Sequence, residues 1–400
     1  MKKLLPRIIN PIKRNASGTS NFLKKPHNNA AGVNDKPLMK KILFILNDLG
    51  GGGAERVLVN IANAFYENGI KVEFLAGKKQ GLYLDVLHPS IPVTEVGGTS
   101  FYKYLQALPV VLKKNNYTHV FTASDYAGAA AIIAKKTAGV AAKIYHTHHY
   151  HLPPKRSLKH WKGDLIAKLI HFFIIPHADK IIAVSKGNLA WLRKFSNHKL
   201  PQGTTIYNPV FDDSIYTLAK EKINYPADIS GKAVLLSVGR LEEQKDHLTL
   251  IKSFQILKKT RPDIILFILG IGNLKSKLEN YILENNLRND IFLVEFDPNP
   301  YKWIANCDVF VLSSISEGFG NVLVEAMALG KTIVSTNCPS GPSEILQKGE
   351  LGYLCPVKNP AEMAILVEQA LRSPIDSNIL KAASYRYRIT EIVRKYIEIL

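Results

Sequence analysis

Two glutamates eight positions apart, Glu317 and Glu325, are the residues whose spacing most directly indicates ligand chemistry. Between them, residues 318–320 include two glycines, which let the backbone approach a ligand closely. Residues 321–329 have the pattern of a helix, and its first turn offers N–H groups suited to a phosphate. One carboxylate precedes the helix and the other lies about one turn inside it, so we expect them to reach different hydroxyl groups of one ligand. The alternative is a pair of solvated surface glutamates.

Two cations in one polar loop, Arg240 and Lys245, form a second candidate group. The loop follows residues 234–238, a run typical of a buried strand. Cations at the carboxyl end of a strand can neutralise a leaving diphosphate without a metal ion. Asp246 then suits the N-cap of the next helix. The alternative is that both cations are solvated loop residues.

A third candidate group is a run of histidines after a predicted strand: His146, His148, His149 and His151. Alternation along the strand places His146 and His148 on one face. Such a cluster can bind a metal ion, but the neighbouring sequence offers no cysteine or carboxylate to complete the site. No metal site is therefore predicted.

The elements that must position these residues repeat one βαβ pattern twice. The predicted elements are strand 42–46, helix 54–68 and strand 71–76, and then strand 234–238, a helix ending near residue 259 and strand 264–269. Two such openings predict an α/β fold with two Rossmann-like domains. Four glycines at 50–53 precede the first helix, where backbone N–H groups suit a phosphate. Their spacing differs from the dinucleotide-binding G-x-G-x-x-G.

Together these motifs resemble the family 4 retaining glycosyltransferases of the GT-B fold, over about residues 41–400. Glu317 and Glu325 match the E-x7-E signature of that family. The resemblance implies that Glu317 contacts the donor sugar, that Glu325 contacts the ribose, and that Arg240 and Lys245 neutralise the diphosphate. It implies that His148, or else His146 or His149, faces the donor sugar. The other nucleotide-sugar contacts that it implies are made by Gly52, Gly53, Gly239, Gly272, Phe296, Gly318, Phe319, Gly320 and Asn321.

The resemblance also implies a domain plan. It places a nucleotide-sugar-binding domain at residues 216–383 and an acceptor-binding domain at residues 40–215. The amphipathic residues 384–400 resemble the terminal helices that return to the first domain in GT-B proteins. Residues 1–39 are expected to be a disordered or surface-adsorbing basic tail, and Met39 is an alternative start.

The implied reaction transfers a hexose or N-acetylhexosamine from a nucleotide sugar, expected to be UDP-linked, with retention at the anomeric carbon. The expected acceptor is a glycan or lipid-linked glycan of bacterial surface polysaccharide synthesis. No D-x-D triplet occurs to hold a catalytic metal, and no cofactor is expected. No carboxylate nucleophile is evident on the acceptor side, so the resemblance favours front-face attack assisted by the leaving phosphate. Residues 338–346 depart from the commoner Gly-Gly-x-x-Glu loop and resemble hexosaminyl-transferring members, which leaves the donor sugar open.

Charge is unevenly divided along the chain. Residues 1–215 hold 30 Lys and Arg against 12 Asp and Glu, or +18, whereas residues 216–400 hold 22 against 21, or +1. The basic part is expected to meet an anionic membrane surface or a phosphorylated acceptor. The cations are dispersed and no nucleic-acid-binding motif accompanies them, so nucleic acid is not expected as a partner.

Membrane spans and a secretory signal are not predicted. Charged residues and Pro176 interrupt the apolar stretch 165–184, and residues 1–14 lack a continuous apolar core. The apolar run 165–175 suits either a helix lying on a membrane or a buried helix with a basic edge. The cations around it are Lys155, Arg156, Lys159, Lys162 and Lys168. The protein is expected in the cytoplasm, at the inner face of the membrane.

Three alternative functions share parts of this pattern. A sugar-nucleotide epimerase of the same fold would not need the basic first domain. A dehydrogenase needs an acid at the end of the second strand, but Glu73 lies inside that strand. A non-catalytic membrane scaffold would not need the intact candidate residues. Cys307, Cys338 and Cys355 lack ligand-like C-x-x-C spacing, which fits reduced thiols.

Overall fold

The computed structural model describes residues 40–149, 161–197, 200 and 202–400, with the backbone alone for residues 161–168. Some predicted features lie outside these residues: the tail 1–39 with Met39, His151, and the cations Lys155, Arg156 and Lys159. The side chains of Lys162 and Lys168 lie outside them too.

The first of two parallel sheets, together with its helices, forms what we call the N-terminal domain. Its strands are β1 (Lys41–Leu46), β2 (Lys71–Ala76), β3 (Val93–Glu95), β4 (His119–Thr122), β5 (Lys143–His148), β6 (Lys180–Ala183) and β7 (Gly203–Thr205). They pair in the order β3-β2-β1-β4-β5-β6-β7. The intervening helices are α1 (Gly53–Glu67), α2 (Phe101–Asn115), α3 (Asp125–Ala138), α4 (Trp161–His177) and α5 (Lys186–Phe195). The strand order reverses at β1, where the glycine loop follows the strand.

Helices cover both faces of this sheet because its strands are apolar on both sides. Along β1, Leu43 and Ile45 pack with α2 and α3, whereas Ile42 and Phe44 pack with α1 and with α14 (Ile389–Glu398). This alternation follows from the two-residue period of a strand. Burial on both faces is typical of parallel sheets.

The second sheet and its helices form what we call the C-terminal domain. Its strands are β8 (Ala233–Val238), β9 (Ile264–Leu269), β10 (Ile291–Val294), β11 (Val309–Leu312), β12 (Thr332–Thr336) and β13 (Tyr353–Cys355). They pair in the order β10-β9-β8-β11-β12-β13. The helices are α6 (Ser214–Leu218), α7 (His247–Lys258), α8 (Lys275–Glu284), α9 (Pro300–Ala305), α10 (Asn321–Ala328), α11 (Pro342–Ile345), α12 (Pro360–Arg372) and α13 (Ser377–Ser384). The two Rossmann-like sheets confirm the predicted fold class.

The chain crosses between the domains twice, and the two crossings are hydrogen-bonded to each other. Val210 N donates to Tyr387 O at 3.0 Å, and Ile389 N donates to Phe211 O at 2.9 Å. After the second crossing, α14 packs against α1 in the N-terminal domain. The predicted boundary at residue 215 lies within α6, where Ile215 packs in the C-terminal core.

Most predicted elements differ from the observed ones by one or two residues. Strands β2 and β9 have the predicted bounds, and α1 begins one residue earlier than predicted. The segment after β8 differs more, because Glu243–Lys245 forms a separate 3-10 turn and Asp246 adopts a left-handed conformation before α7. Asp246 caps α7 as predicted, accepting from Thr249 N.

Candidate active site

Glu317 and Lys245 contact each other at the carboxyl ends of two neighbouring strands. Lys245 follows β8 and Glu317 follows β11, and these strands pair in the sheet. Lys245 Nζ lies 2.5 Å from Glu317 Oε1, and Ser314 Oγ donates to the same oxygen at 2.6 Å. Glu317 is only 7% exposed. The structure therefore brings two of the predicted catalytic residues together, with the carboxylate held by a cation and a hydroxyl.

Arg240 lies in the same loop but extends towards solvent. Its guanidinium contacts Glu242 at 3.0 Å and is mostly exposed. Its charge also acts on Glu55, in the first turn of α1. Burial raises the pKa of Glu55 and Asp48 adds to the rise, while a backbone hydrogen bond and the charge of Arg240 act in the opposite direction. The charge of Arg240 is therefore felt in the N-terminal domain, although its guanidinium contacts Glu242.

Glu325, on α10, contacts the N-terminal domain. Its Oε1 lies 2.5 Å from Nη1 of Arg56, a residue of α1. Arg56 Nη2 also donates to the hydroxyl of Tyr301 and, at 3.3 Å, to Val210 O. Glu325 is 4% exposed. The second glutamate of the motif is thus fixed by an arginine from the other domain.

The glycine segments at the starts of α1 and α10 meet across the cleft. A Cβ on Gly53 would lie 3.4 Å from Asn321 Nδ2, and Asn208 Nδ2 donates to Asn321 Oδ1 at 2.8 Å. Gly320 has φ of 100°, a left-handed conformation that favours glycine. Both helix N-termini therefore point N–H groups and partial positive charge at the same part of the cleft.

The other predicted contacts around this turn fall into two kinds. Gly318 is buried beside Glu317, and a Cβ on Gly52 would lie 2.0 Å from the Glu55 carboxylate, so the group that approaches Gly52 closely is a side chain of the following helix. Phe319 instead points into the core, 2% exposed, and stacks on Tyr207. The predicted contact between Phe319 and the nucleotide would therefore be made by the backbone of Phe319 and not by its ring.

Gly239 and Gly272 lie in loops that pack backbone against backbone. A Cβ on Gly270 would lie 2.1 Å from Gly239 O, and one on Gly272 would lie 2.3 Å from Leu241 O. These glycines allow the loops after β8 and β9 to touch. Phe296 follows β10 and is 45% exposed, so its ring is available for stacking on a base.

His148 is buried among side chains of α4 and α5. Its Nδ1 contacts Asn188 Oδ1 at 3.0 Å and its Nε2 contacts His171 Nε2 at 2.8 Å, while its ring stacks on Trp191. Burial, together with His171 and His146, lowers the pKa of His148 well below its usual value. Both ring nitrogens are engaged within the N-terminal domain, so a sugar contact of His148 would require one of them to change partner.

His146 and His149 occupy different surroundings. His146 contacts Thr122 Oγ1 at 2.9 Å and lies 3.6 Å from Asp125 Oδ1, at the start of α3. Burial and the neighbouring His146 lower the pKa of His149 to about 3. Within the described ranges, no group of three or more His, Cys, Asp or Glu side chains could hold a metal ion. The contact of any of these histidines with a donor sugar stays a prediction.

A second interdomain contact was not predicted. Glu344, in α11, accepts from the backbone N–H of Lys186 at 2.9 Å and of Gly187 at 2.6 Å, at the start of α5. Tyr207 also donates to Glu344 at 3.3 Å.

Sequence reasoning missed both Glu344 and Arg56 as residues of the interdomain contacts. The sequence signal that could have indicated Arg56 is its place in the first turn of the helix after the glycine loop. The signal for Glu344 is its place in segment 338–346, which departs from the commoner loop.

Matches to two protein-family models define the class of this protein. The model described as Glycosyltransferase Family 4 matches residues 51–213, and the model described as Glycosyl transferases group 1 matches residues 220–387. Together these matches span most of both domains. The chain belongs to this glycosyltransferase family, which confirms the predicted class and favours neither the epimerase nor the scaffold.

Curated relatives carry the same class of activity in their names. The N-acetylgalactosamine-N,N'-diacetylbacillosaminyl-diphospho-undecaprenol 4-alpha-N-acetylgalactosaminyltransferase of Campylobacter jejuni is 35% identical over 232 residues, or 58% of this chain. An uncharacterized glycosyltransferase of Haemophilus influenzae is 26% identical over 84% of this chain and 92% of its own length. The match spans 60% of the Campylobacter protein and 48% of an uncharacterized glycosyltransferase of Methanocaldococcus jannaschii.

Solved structures share the fold over nearly the whole chain. Anabaena HepE in complex with UDP and glucose superposes with a TM-score of 0.72 at 22% identity, covering 90% of this chain and 99% of that one. Sucrose-phosphate synthase from Thermosynechococcus elongatus superposes with a TM-score of 0.75 at 18% identity, covering 90% of this chain and 98% of that one. These likenesses support the GT-B arrangement. In the part of the chain that the structure describes, no helix has the length and apolar character to cross a membrane.

Proposed function

We propose that this glycosyltransferase moves a hexose or N-acetylhexosamine from a UDP-sugar to a glycan or lipid-linked glycan, with retention at the anomeric carbon. The observation that carries the proposal is the convergence of Lys245, Glu317, Glu325 and two helix N-termini at one cleft. A nucleotide sugar offers hydroxyl groups for the carboxylates and a diphosphate for the cations and N–H groups.

In the proposed mechanism, departure of the diphosphate is the step that the site stabilises. Lys245, Arg240 and the N-termini of α1 and α10 offset the charge that develops as the bond between the anomeric carbon and the phosphate oxygen breaks. The acceptor oxygen bonds to the anomeric carbon on the same face, and its proton passes to the departing phosphate oxygen. Glu317 orients the sugar through its hydroxyls, and Glu325 holds the ribose. The proposal involves no cofactor and no metal ion.

The names of the relatives support the substrate classes. The Campylobacter relative is named for α-linked transfer to a diphospho-undecaprenol acceptor, and a Staphylococcus aureus relative, 26% identical over 49% of this chain, is named a poly(ribitol-phosphate) alpha-N-acetylglucosaminyltransferase. Both acceptors carry phosphate. A phosphorylated acceptor suits the +18 balance of residues 1–215.

We also propose that the N-terminal domain binds an anionic membrane surface, where a lipid-linked acceptor would be found. Leu169 and Phe172 project from α4 with exposures of 58% and 55%, and Phe172 stacks on Phe195 of α5. Exposed apolar side chains on a basic domain are suited to an anionic lipid interface. This position at the inner face of the membrane would bring the cleft to its acceptor.

Mass spectrometry of reaction mixtures tests the activity. The full chain is incubated with UDP-linked glucose, galactose, N-acetylglucosamine or N-acetylgalactosamine, and with undecaprenyl-diphosphate-linked sugars or soluble oligosaccharides. We expect one UDP-sugar to support transfer, also in the presence of EDTA, and NMR of the product to show the donor's α configuration. A β product would refute retention, loss of activity in EDTA would refute metal independence, and absence of transfer from all four UDP-sugars would refute the donor assignment.

A further inference from the structure

Arg56 is a residue of the N-terminal domain whose side chain contacts the C-terminal domain. It lies one turn into α1, directly after the glycine loop. Its guanidinium contacts three groups outside its own helix: Glu325 Oε1 at 2.5 Å, the hydroxyl of Tyr301, and Val210 O at 3.3 Å. Glu325 and Tyr301 belong to α10 and α9 of the C-terminal domain.

The chemistry of this contact favours a fixed geometry. Although burial acts against its charge, Tyr301 and Glu325 raise the pKa of Arg56 further above its usual value, so the guanidinium stays charged. A planar guanidinium has five N–H donors in a rigid arrangement, and here they reach the carboxylate, the phenol and the carbonyl together. A lysine ammonium lacks this planar, rigid arrangement of donors. Arg56 therefore determines the orientation of the buried Glu325 carboxylate.

We infer that Arg56 is a positioning residue for Glu325, holding Oε1 so that Oε2 is presented to the ribose hydroxyls of the donor nucleotide. This inference rests on the proposed contact between Glu325 and the ribose. Because Arg56 and Glu325 lie on different domains, the ribose site reaches its final geometry only when the domains are arranged as observed. The N-terminal domain thereby contributes to the affinity for the donor through Glu325, without itself contacting the ribose.

Calorimetry with two nucleotides on the full chain tests this role. The nucleotides are UDP and 2′,3′-dideoxyuridine diphosphate, which lacks the ribose hydroxyls. Arg56→Ala is expected to weaken UDP binding about tenfold or more and to leave the affinity for the dideoxy analogue nearly unchanged. Arg56→Lys should fall between the wild type and Arg56→Ala. Arg193→Ala, which removes an exposed arginine of α5, is the control and should change neither affinity.

The double variant completes the test. In the Glu325→Ala background, Arg56→Ala should cause no further loss of UDP affinity, because the group that it positions is gone. Tyr301→Phe removes one of the three partners that fix the Arg56 guanidinium, and it provides a milder variant if Arg56→Ala melts at a much lower temperature. It should weaken UDP binding less than Arg56→Ala does, and selectively over the dideoxy analogue.

The outcomes separate this inference from the function on which it rests. If Arg56→Ala weakens UDP and the dideoxy analogue equally, Arg56 acts on the phosphates or on folding, and the positioning role is refuted. If Glu325→Ala weakens UDP binding but Arg56→Ala does not, only the inference fails. If Glu325→Ala leaves UDP binding intact, the ribose contact itself is refuted, and the role of Arg56 falls with it.

Discussion

Replacing Lys245 by alanine is the most direct test of the proposed chemistry. The ammonium lies beside Glu317 at the carboxyl end of β8, and its side chain is only 17% exposed. Two unit charges about 4 Å apart interact by roughly 4 kcal/mol at an effective dielectric constant of about 20. If that interaction forms fully only as the diphosphate departs, its loss slows turnover by about three orders of magnitude.

The assay measures release of UDP under saturating donor, with the folded fraction of each variant measured by thermal melting. Lys258 provides a matched control, because it pairs with Asp290 at 2.7 Å with a similar side-chain exposure of 22% and lies on α7, outside the candidate site. Lys258→Ala should match Lys245→Ala in its effect on melting and leave turnover unchanged. Arg240→Ala should cause a smaller loss than Lys245→Ala because its guanidinium is mostly exposed and screened by solvent. Turnover of Lys245→Ala within a few-fold of the wild type would refute the diphosphate role.

Three further outcomes follow from the described contacts. In calorimetry, Glu325→Ala should weaken UDP binding, whereas Glu317→Ala should leave UDP affinity nearly intact and impair use of the UDP-sugar; equal losses of UDP affinity would contradict the division of roles. Burial raises the pKa of Glu55, so its contribution to stability is present below about pH 4.5 and is lost as the pH rises through the raised value. Glu55→Gln should therefore increase the free energy of unfolding at pH 7 but not at pH 4, and urea titrations that show no gain at pH 7 would contradict this. In liposome flotation, the wild type should bind anionic but not zwitterionic vesicles in a salt-sensitive manner, and the double substitution Leu169→Ser, Phe172→Ser should weaken binding. Ile365→Ser on α12, where Ile365 is 66% exposed, is the control; a wild type that ignores anionic vesicles at low salt would indicate that the basic domain serves a soluble anionic acceptor.

The elements of the fold were predictable where burial alone decides them. All six residues of β9 are buried, and a short apolar run between turn residues indicates such a strand without knowledge of its neighbours. The start of α7 was less predictable, because Asp246 takes a left-handed conformation that divides one polar loop into a turn and a cap. Local pattern does not reveal a backbone choice that depends on the packing around it.

The candidate site shows the same limit. The resemblance placed Lys245 at the diphosphate and Glu317 at the donor sugar of one site, but the direct contact between the two side chains was not predicted. Arg56 and Glu325 are 269 positions apart and on different domains, so no local pattern connects them. The surroundings of His148 depend on Asn188 and His171, whose helices reach it through tertiary packing. A motif predicts which residues lie at a cleft but not which of their atoms are already engaged.

The paired crossings between the domains have a consequence for synthesis of the chain. The core around Phe44 and Phe65 is completed by Ile392, Val393 and Tyr396 of α14, which are made after the whole C-terminal domain. At roughly 5–20 residues per second, the ribosome needs on the order of ten to forty seconds to cover that interval. During this time the part of that apolar face that α1 does not cover is exposed, which makes the nascent chain a candidate client for chaperones. Helix α14, which is made after the C-terminal domain, therefore completes the core of the N-terminal domain.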